Sequence, residues 1–190
     1  MAADYPVKVL IAPTAPQSRL TVFFRILMVI PHAIVLNFLQ IAQLVVTVLA
    51  WFSIVIVGKY PSGMYGFSTG MLRWTARVGG YGGLLTGAYP PFSLDDDDYP
   101  VRFVVEPALT GRNRITTFFR MFMIIPHVVV LYFVMLFVGL ITFLAWFAAL
   151  FSGRVPAGMH GLMAGGLRWQ IRLGAYQMLL TDAYPPFSME

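Results

Sequence analysis

The chain has 190 residues, 58% hydrophobic and only 11% charged, with 13 Lys and Arg against 8 Asp and Glu and a mean hydropathy of +0.75. A soluble domain carries roughly 25% charged residues, and this much apolar side chain in water would leave large exposed patches, so the composition excludes an ordinary water-soluble domain and points to an integral membrane protein. With no cysteine, disulfides, thiolate catalysis, iron–sulfur clusters and Cys-ligated zinc are excluded too.

The opening "MAADYPVKVL" lacks the basic-then-apolar pattern of a cleaved signal, so the first long apolar run is expected to direct insertion. Tyr5 to Ile11 alternates apolar and polar residues, which predicts a short strand outside the bilayer, ended by Pro13. Residues 20–57 are apolar, and 26–58 carry no charge with His32 neutral. One straight helix over 20–57 would be about 57 Å long, against a hydrocarbon core of roughly 30 Å. A break is expected at Pro31, which lacks a donor and biases Ile30 away from helix.

A Gly/Pro turn leads into 64–86, amphipathic at the helical period. Phe67, Met71, Trp74, Val78 and Leu85 fall on one face, and Gly66, Thr69, Gly70, Arg73, Arg77 and Gly80 on another. This is read either as an interfacial helix with its arginines at headgroups, or as a packed helix whose small residues allow close approach. Asp95 to Asp98 then form a linker, expected to be a solvated hinge without a calcium-ligand pattern.

The chain then starts again. Residues 19–93 and 114–188 share 38 identities in 75 positions at an offset of 95, which is an internal duplication. Arg25 matches Arg120, Pro31-His32 matches Pro126-His127, Arg73 and Arg77 match Arg168 and Arg172, and both copies close with "YPPFS". The openings "DYPVKVLIAP" and "DYPVRFVVEP" match at an offset of 94. The organisation is thus a repeat over 1–94, a linker over 95–98 and a second repeat over 99–190. The expected fold is all-α within the membrane: two parallel tandem repeats, each with two membrane helical segments and one short extramembrane strand.

Two membrane arrangements fit. In one, 33–57 crosses and 64–86 crosses back; in the other, 20–57 is a hairpin or wedge and 64–86 lies on the surface, as 159–181 does in the second copy. Both N-terminal flanks are basic, which favours both termini on the cytoplasmic side. The sequence favours two crossings per repeat and keeps the wedge open.

Polar groups in an oily run are candidate sites. Arg25, Arg73, Arg77, Arg120, Arg168 and Arg172 lack an evident counter-ion in the sequence, and arginine suits phosphate, so anionic lipid is their expected partner. His32 and His127, beside Pro31 and Pro126, are read as kink histidines or, in a sharper version, as Arg–His pairs. Asn37, Gln40 and Gln43 form a polar cluster that the second copy lacks. Trp51 and Trp146 read as interfacial anchors. No catalytic motif, metal set or cofactor motif is present, and the scattered basic residues do not suit nucleic acid.

The motifs "FFR…IPH", "AWF", "LRW..R" and "LLT..YPPFS" resemble a bacterial membrane-protein family, common in actinobacteria, known only as a domain of unknown function and often found as a tandem pair. The resemblance covers nearly the whole chain and implies a bacterial cytoplasmic membrane, without a mechanism. The first copy departs from it at Gly87, where the second has Asp182. The expected function is non-enzymatic: anionic-lipid binding or an accessory subunit of a membrane complex, with membrane phospholipid, a membrane protein or a second copy as partner. A small channel or transporter and a membrane-shaping wedge are the alternatives.

Overall fold

A computed structural model describes residues 5–190; the first four residues, Asp4 among them, lie outside the described residues. The two alternating segments form β1 (Val7–Ile11) and β2 (Val101–Val105), each with its odd-numbered side chains turned inward. They pair antiparallel, Val7 opposite Val105 and Ile11 opposite Val101. The central pair joins Val9 to Phe103, which is its own counterpart at the offset of 94. A residue paired with its counterpart lies on the axis that relates the copies. A pseudo-twofold axis therefore passes through the sheet.

Each repeat then supplies three helices: α1 (Arg19–Phe23), α2 (Arg25–Val57) and α3 (Ser62–Gly82), then α4 (Arg114–Met123), α5 (Ile125–Ser152) and α6 (Ala157–Gln177). The long helices end at Gly58 and Gly153, both left-handed at φ 75° and 74°, a conformation glycine adopts without steric cost. The break expected at Pro31 is absent, because α2 runs through that residue without a turn. The discontinuity falls instead at Phe24, and in the second copy at Ile124, two residues before Pro126. A proline in a first turn forfeits no helical bond; at Pro31 the helix continues, and nearby Tyr89 donates to Met28 O at 3.2 Å. The hairpin version of the apolar run is corrected: one helix covers Arg25–Val57, preceded by the short α1.

α3 runs back along α2: Arg25 meets Tyr81, His32 meets Trp74 and Gln43 meets Ser68. It is covered on three sides. Trp74 faces α2, Leu72 and Gly79 face α6, and Gly80 lies against Val101 of β2. The glycine is required there, since a Cβ would come within 2.6 Å of the valine. α6 is buried in the same way, so the exposed surface-helix reading of 64–86 and 159–181 is corrected to a packed middle layer. The sheet lies on one side of this layer, and α2 and α5 on the other.

The ends of the long helices interlock. Gly153 O accepts from Gln17 N at 2.8 Å, and Gly58 O accepts from Arg112 N at 3.3 Å. The start of one repeat's helical run thus meets the end of the other's. Because the axis exchanges these two junctions, the beginning and the end of residues 19–57 lie at the same height along it, and α2 and α5 run antiparallel. Both helices are long and apolar enough to cross a membrane, yet only 17% of each apolar window is buried. The core helix of a soluble protein would be mostly buried; these keep their oil outside.

Candidate functional site

Each arginine of "FFR" is buried, at 2% exposure, and staples the end of the third helix of its repeat. Arg25 Nη1 donates to Tyr81 O at 2.8 Å and Thr86 O at 2.7 Å, and its guanidinium lies over the Tyr81 ring at 4.1 Å. Arg120 does the same with Tyr176 O, Thr181 O and the Tyr176 ring. Helix C-terminal carbonyls lack internal donors and carry the negative end of the dipole, so a cation is the fitting group. Beyond each helix the chain passes through a left-handed leucine, Leu84 or Leu179.

The second Nη of each arginine marks where the repeats differ. Arg25 Nη2 donates to Gln17 Oε1 at 2.7 Å, while Arg120 Nη2 donates to Asp182 Oδ1 at 2.7 Å. Gln17 and Arg112 are equivalent, and both reach the leucine carbonyl, Leu84 O and Leu179 O respectively. Arg112 also pairs with Asp182. One repeat thus uses Gln17 and Gly87 where the other uses Arg112 and Asp182. Burial of the Asp182 carboxyl raises its pKa, but hydrogen bonds from Arg112 and from Asn113 N, with the charges of Arg112 and Arg120, outweigh that and leave it below its ordinary value.

The histidines are enclosed. His32 Nδ1 accepts from Trp74 Nε1 at 3.1 Å, and its ring stacks on Phe92 at 3.8 Å with Tyr89 beside it. His127 repeats this with Trp169, Phe187 and Tyr184. The conserved spacing in the two copies therefore joins "IPH" to "LRW" and "YPPFS" as one packing unit. Arg25 and His32 serve different anchors, so the Arg–His pair is not formed. Among the described residues no group of His, Asp and Glu could hold a metal ion.

The other arginines have protein partners, and for Arg73 and Arg77 these are carboxylates, which corrects the expectation that those two lack counter-ions. Arg77 bonds Asp97 and Ser93 O, and Arg73 lies 3.6 Å from Asp96, which also approaches Arg102. The four-acid linker is docked on α3 and the sheet, and is corrected from a free hinge. In the second repeat Arg172 bonds Ser188 O and Arg168 bonds Val9 O. These two, with Tyr5, Lys8 and Glu190, line a polar recess beside β1. Burial holds the Tyr5 hydroxyl in its neutral form, its pKa raised well above the ordinary value.

Trp51 Nε1 donates to Thr117 O and Trp146 Nε1 to Val22 O. The "AWF" tryptophans are therefore clasps between the repeats. Gln43 is 1% exposed and bonds Thr47 and Ser68, whereas Asn37 and Gln40 remain exposed on α2.

The family model described as a domain of unknown function, DUF4389, matches residues 19–93 and again 114–189. The chain belongs to this family. Each matched copy contains one arginine staple, one histidine cage and one tryptophan clasp, so these are features of both DUF4389 units here. No curated protein and no solved structure matches the chain.

Proposed function

We propose that this DUF4389 protein is a wedge that inserts into one leaflet, its pseudo-twofold axis along the membrane normal, with α1, α2, α4 and α5 in the lipid and the sheet and acidic linker in water. The observation that carries this reading is the separation of oil from charge across the middle layer. Outside the α1–α2 and α4–α5 runs, among the described residues, only Leu10, Tyr89, Phe92, Val104, Leu162, Tyr184 and Phe187 are large hydrophobics that remain exposed. The opposite side carries Asp96 and Arg102, each 44% exposed at the side chain.

Were α3 to cross the bilayer, those charges, beside its middle, would face hydrocarbon. Each would cost at least about 2.5 kcal/mol by insertion scales. With the axis along the normal, they face water at no such cost. The two ends of each long helical run then lie at one depth. Arg19, Lys59, Arg114 and Arg154, all exposed at those ends, sit where anionic headgroups are, and the basic side faces the cytoplasm. The repeats remain parallel in this arrangement, and the lipid partner remains phospholipid, held by these four residues rather than by the buried arginines.

The activity that follows is membrane shaping, because added volume in one leaflet favours curvature. Reconstitution into large vesicles of mixed zwitterionic and anionic phospholipid tests it. Tubes or small vesicles should accumulate as protein loading rises, seen by electron cryomicroscopy. Vesicles of unchanged shape at high loading sink the proposal.

A further inference from the structure

The polar recess beside β1 and its counterpart in the other repeat are built from equivalent residues. Arg168, Arg172, Lys8 and Glu190 stand in one where Arg73, Arg77, Arg102 and Asp95 stand in the other. The chain reaches both along one path, since Leu94 lies against Gly70 and Met189 against Gly165. The two places differ in what fills them. Beside Arg73 and Arg77 only about 10 Å³ is free, because Asp96 and Asp97 occupy the space. Beside Arg168 and Arg172 about 230 Å³ is open. At the offset of 94 that relates the strands, Asp96 and Asp97 correspond to Ala2 and Ala3, which carry no carboxylate.

The arginines differ accordingly. Arg77 and Arg172 each give Nη2 to a serine carbonyl, Ser93 O and Ser188 O. Arg77 gives Nη1 to Asp97, whereas among the described residues nothing accepts from Arg172 Nη1. Arg172 is 7% exposed. Its Nε is sealed from solvent but Nη1 is not, so a group in the recess can reach it. Arg73 lies 3.6 Å from Asp96, while Arg168 has a single bond, from Nε to Val9 O. Lys8 already has a partner, which leaves Arg168 and Arg172 as the open cations. They repel one another, and a guanidinium fork in a sheltered recess pairs strongly with a carboxylate.

We propose that this recess binds an acidic peptide segment of a partner protein through two adjacent carboxylates, one on Arg172 Nη1 in the place of Asp97 and one beside Arg168 in the place of Asp96. The filled copy is the template, since two consecutive aspartates of one peptide reach both of its arginines. A second copy of the chain is not the source, because its Asp96 and Asp97 hold its own first repeat. The equivalence of the two copies carries this whichever way the molecule sits in the membrane.

The probe is acetyl-Asp-Asp-photoleucine amide, photolysed with the full chain in nonionic micelles at low salt and mapped by peptide mass spectrometry. Labels should concentrate on 5–9, 165–172 and 189–190, and 70–77 should stay unlabelled because that site is filled. Acetyl-Asp-Asp amide should compete about tenfold better than acetyl-Asn-Asn amide, which keeps the shape without the charge, because a hydrogen bond to a charged group is worth about that factor. Arg172→Gln and Arg168→Gln should each weaken labelling about tenfold. Should Arg172→Gln fail to fold, Arg168→Gln and the two competitors on the unsubstituted chain decide the matter. Equal competition by the asparagine peptide, labels spread over the exposed helices, or unchanged labelling of Arg168→Gln would each overturn the proposal. So would equal competition by inorganic phosphate or glycerol phosphate, which would make the recess a site for any anion or for a lipid headgroup.

Discussion

Gln17 and Arg112 occupy one position in the two repeats and donate to the same carbonyl, Leu84 O in one and Leu179 O in the other. The glutamine comes with Gly87 and the arginine with Asp182. Each pair completes the shell around a buried arginine, once with a neutral acceptor and once with a carboxylate. The exchange is compensated, since a carboxylate opposite Arg112 and Arg120 leaves one net positive charge, as Arg25 alone does.

This compensation sets the first prediction. Asp182→Gly alone should be severe, by about 3–5 kcal/mol, because it leaves two buried guanidinium groups without their counter-ion. Arg112→Gln/Asp182→Gly, which rebuilds the first repeat's arrangement, should recover most of that loss. Unfolding in mixed micelles measures the cycle, and strict additivity of the two changes would refute the compensation.

The same carboxylate sets a pH dependence. Its pKa in the folded protein lies below that of the unfolded chain. Its contribution is therefore complete above the ordinary aspartate range, near pH 3.9, and is lost as pH falls through the depressed folded value. Arg112→Gln/Asp182→Gly should flatten the decline in stability over that acid window relative to the unsubstituted chain. Identical acid profiles would show that Asp182 is not the group responsible.

The histidine cages predict a local cost. Trp74→Phe keeps an aromatic ring, though a smaller one than the indole, and removes the N–H that His32 Nδ1 accepts, leaving a fully buried acceptor unsatisfied. The expected loss is about 1–3 kcal/mol, and Trp169→Phe should cost a similar amount through His127. In His32→Phe the Trp74→Phe cost should shrink, because the acceptor is gone. A Trp74→Phe cost unchanged by the histidine substitution would separate the two residues.

The duplication, the oily helices and the two short strands were legible because each rests on local pattern: offset, apolar run, alternation; the pairing of the strands was not. The role of the arginines was not. In the sequence, Arg25 lies 56 residues from Tyr81 and Arg120 lies 62 from Asp182, so nothing local pairs them. Apart from Gln17, Asp182 and the Tyr81 and Tyr176 rings, their partners are backbone carbonyls, which carry no residue identity to read. Pro31 misled for a related reason: propensity marks where a break is tolerated, and packing decides whether it occurs. The substitution of Asp182 for Gly87 was visible as a difference; its match to Arg112 for Gln17 was the signal that could have exposed the site.

The membrane arrangement gives the last prediction, and the absence of cysteine makes it clean to test. Single cysteines at Arg19, Lys59, Asp96 and Arg154 report four places: the start of α1, the ends of α2 and α5, and the linker. In the one-leaflet arrangement all four face the same compartment, so a membrane-impermeant maleimide added to right-side-out cells should label none, and added to inverted vesicles should label all. Two crossings per repeat would place Lys59 and Arg154 opposite Arg19 and Asp96, giving a two-and-two pattern. The interlocked junctions oppose that pattern independently, because Gly153 is hydrogen-bonded to Gln17, two residues from Arg19. A bond of 2.8 Å cannot connect groups on opposite sides of a hydrocarbon core roughly 30 Å thick. Labelling of Arg19→Cys and Arg154→Cys from opposite sides would therefore overturn both the arrangement and the junction on which it rests.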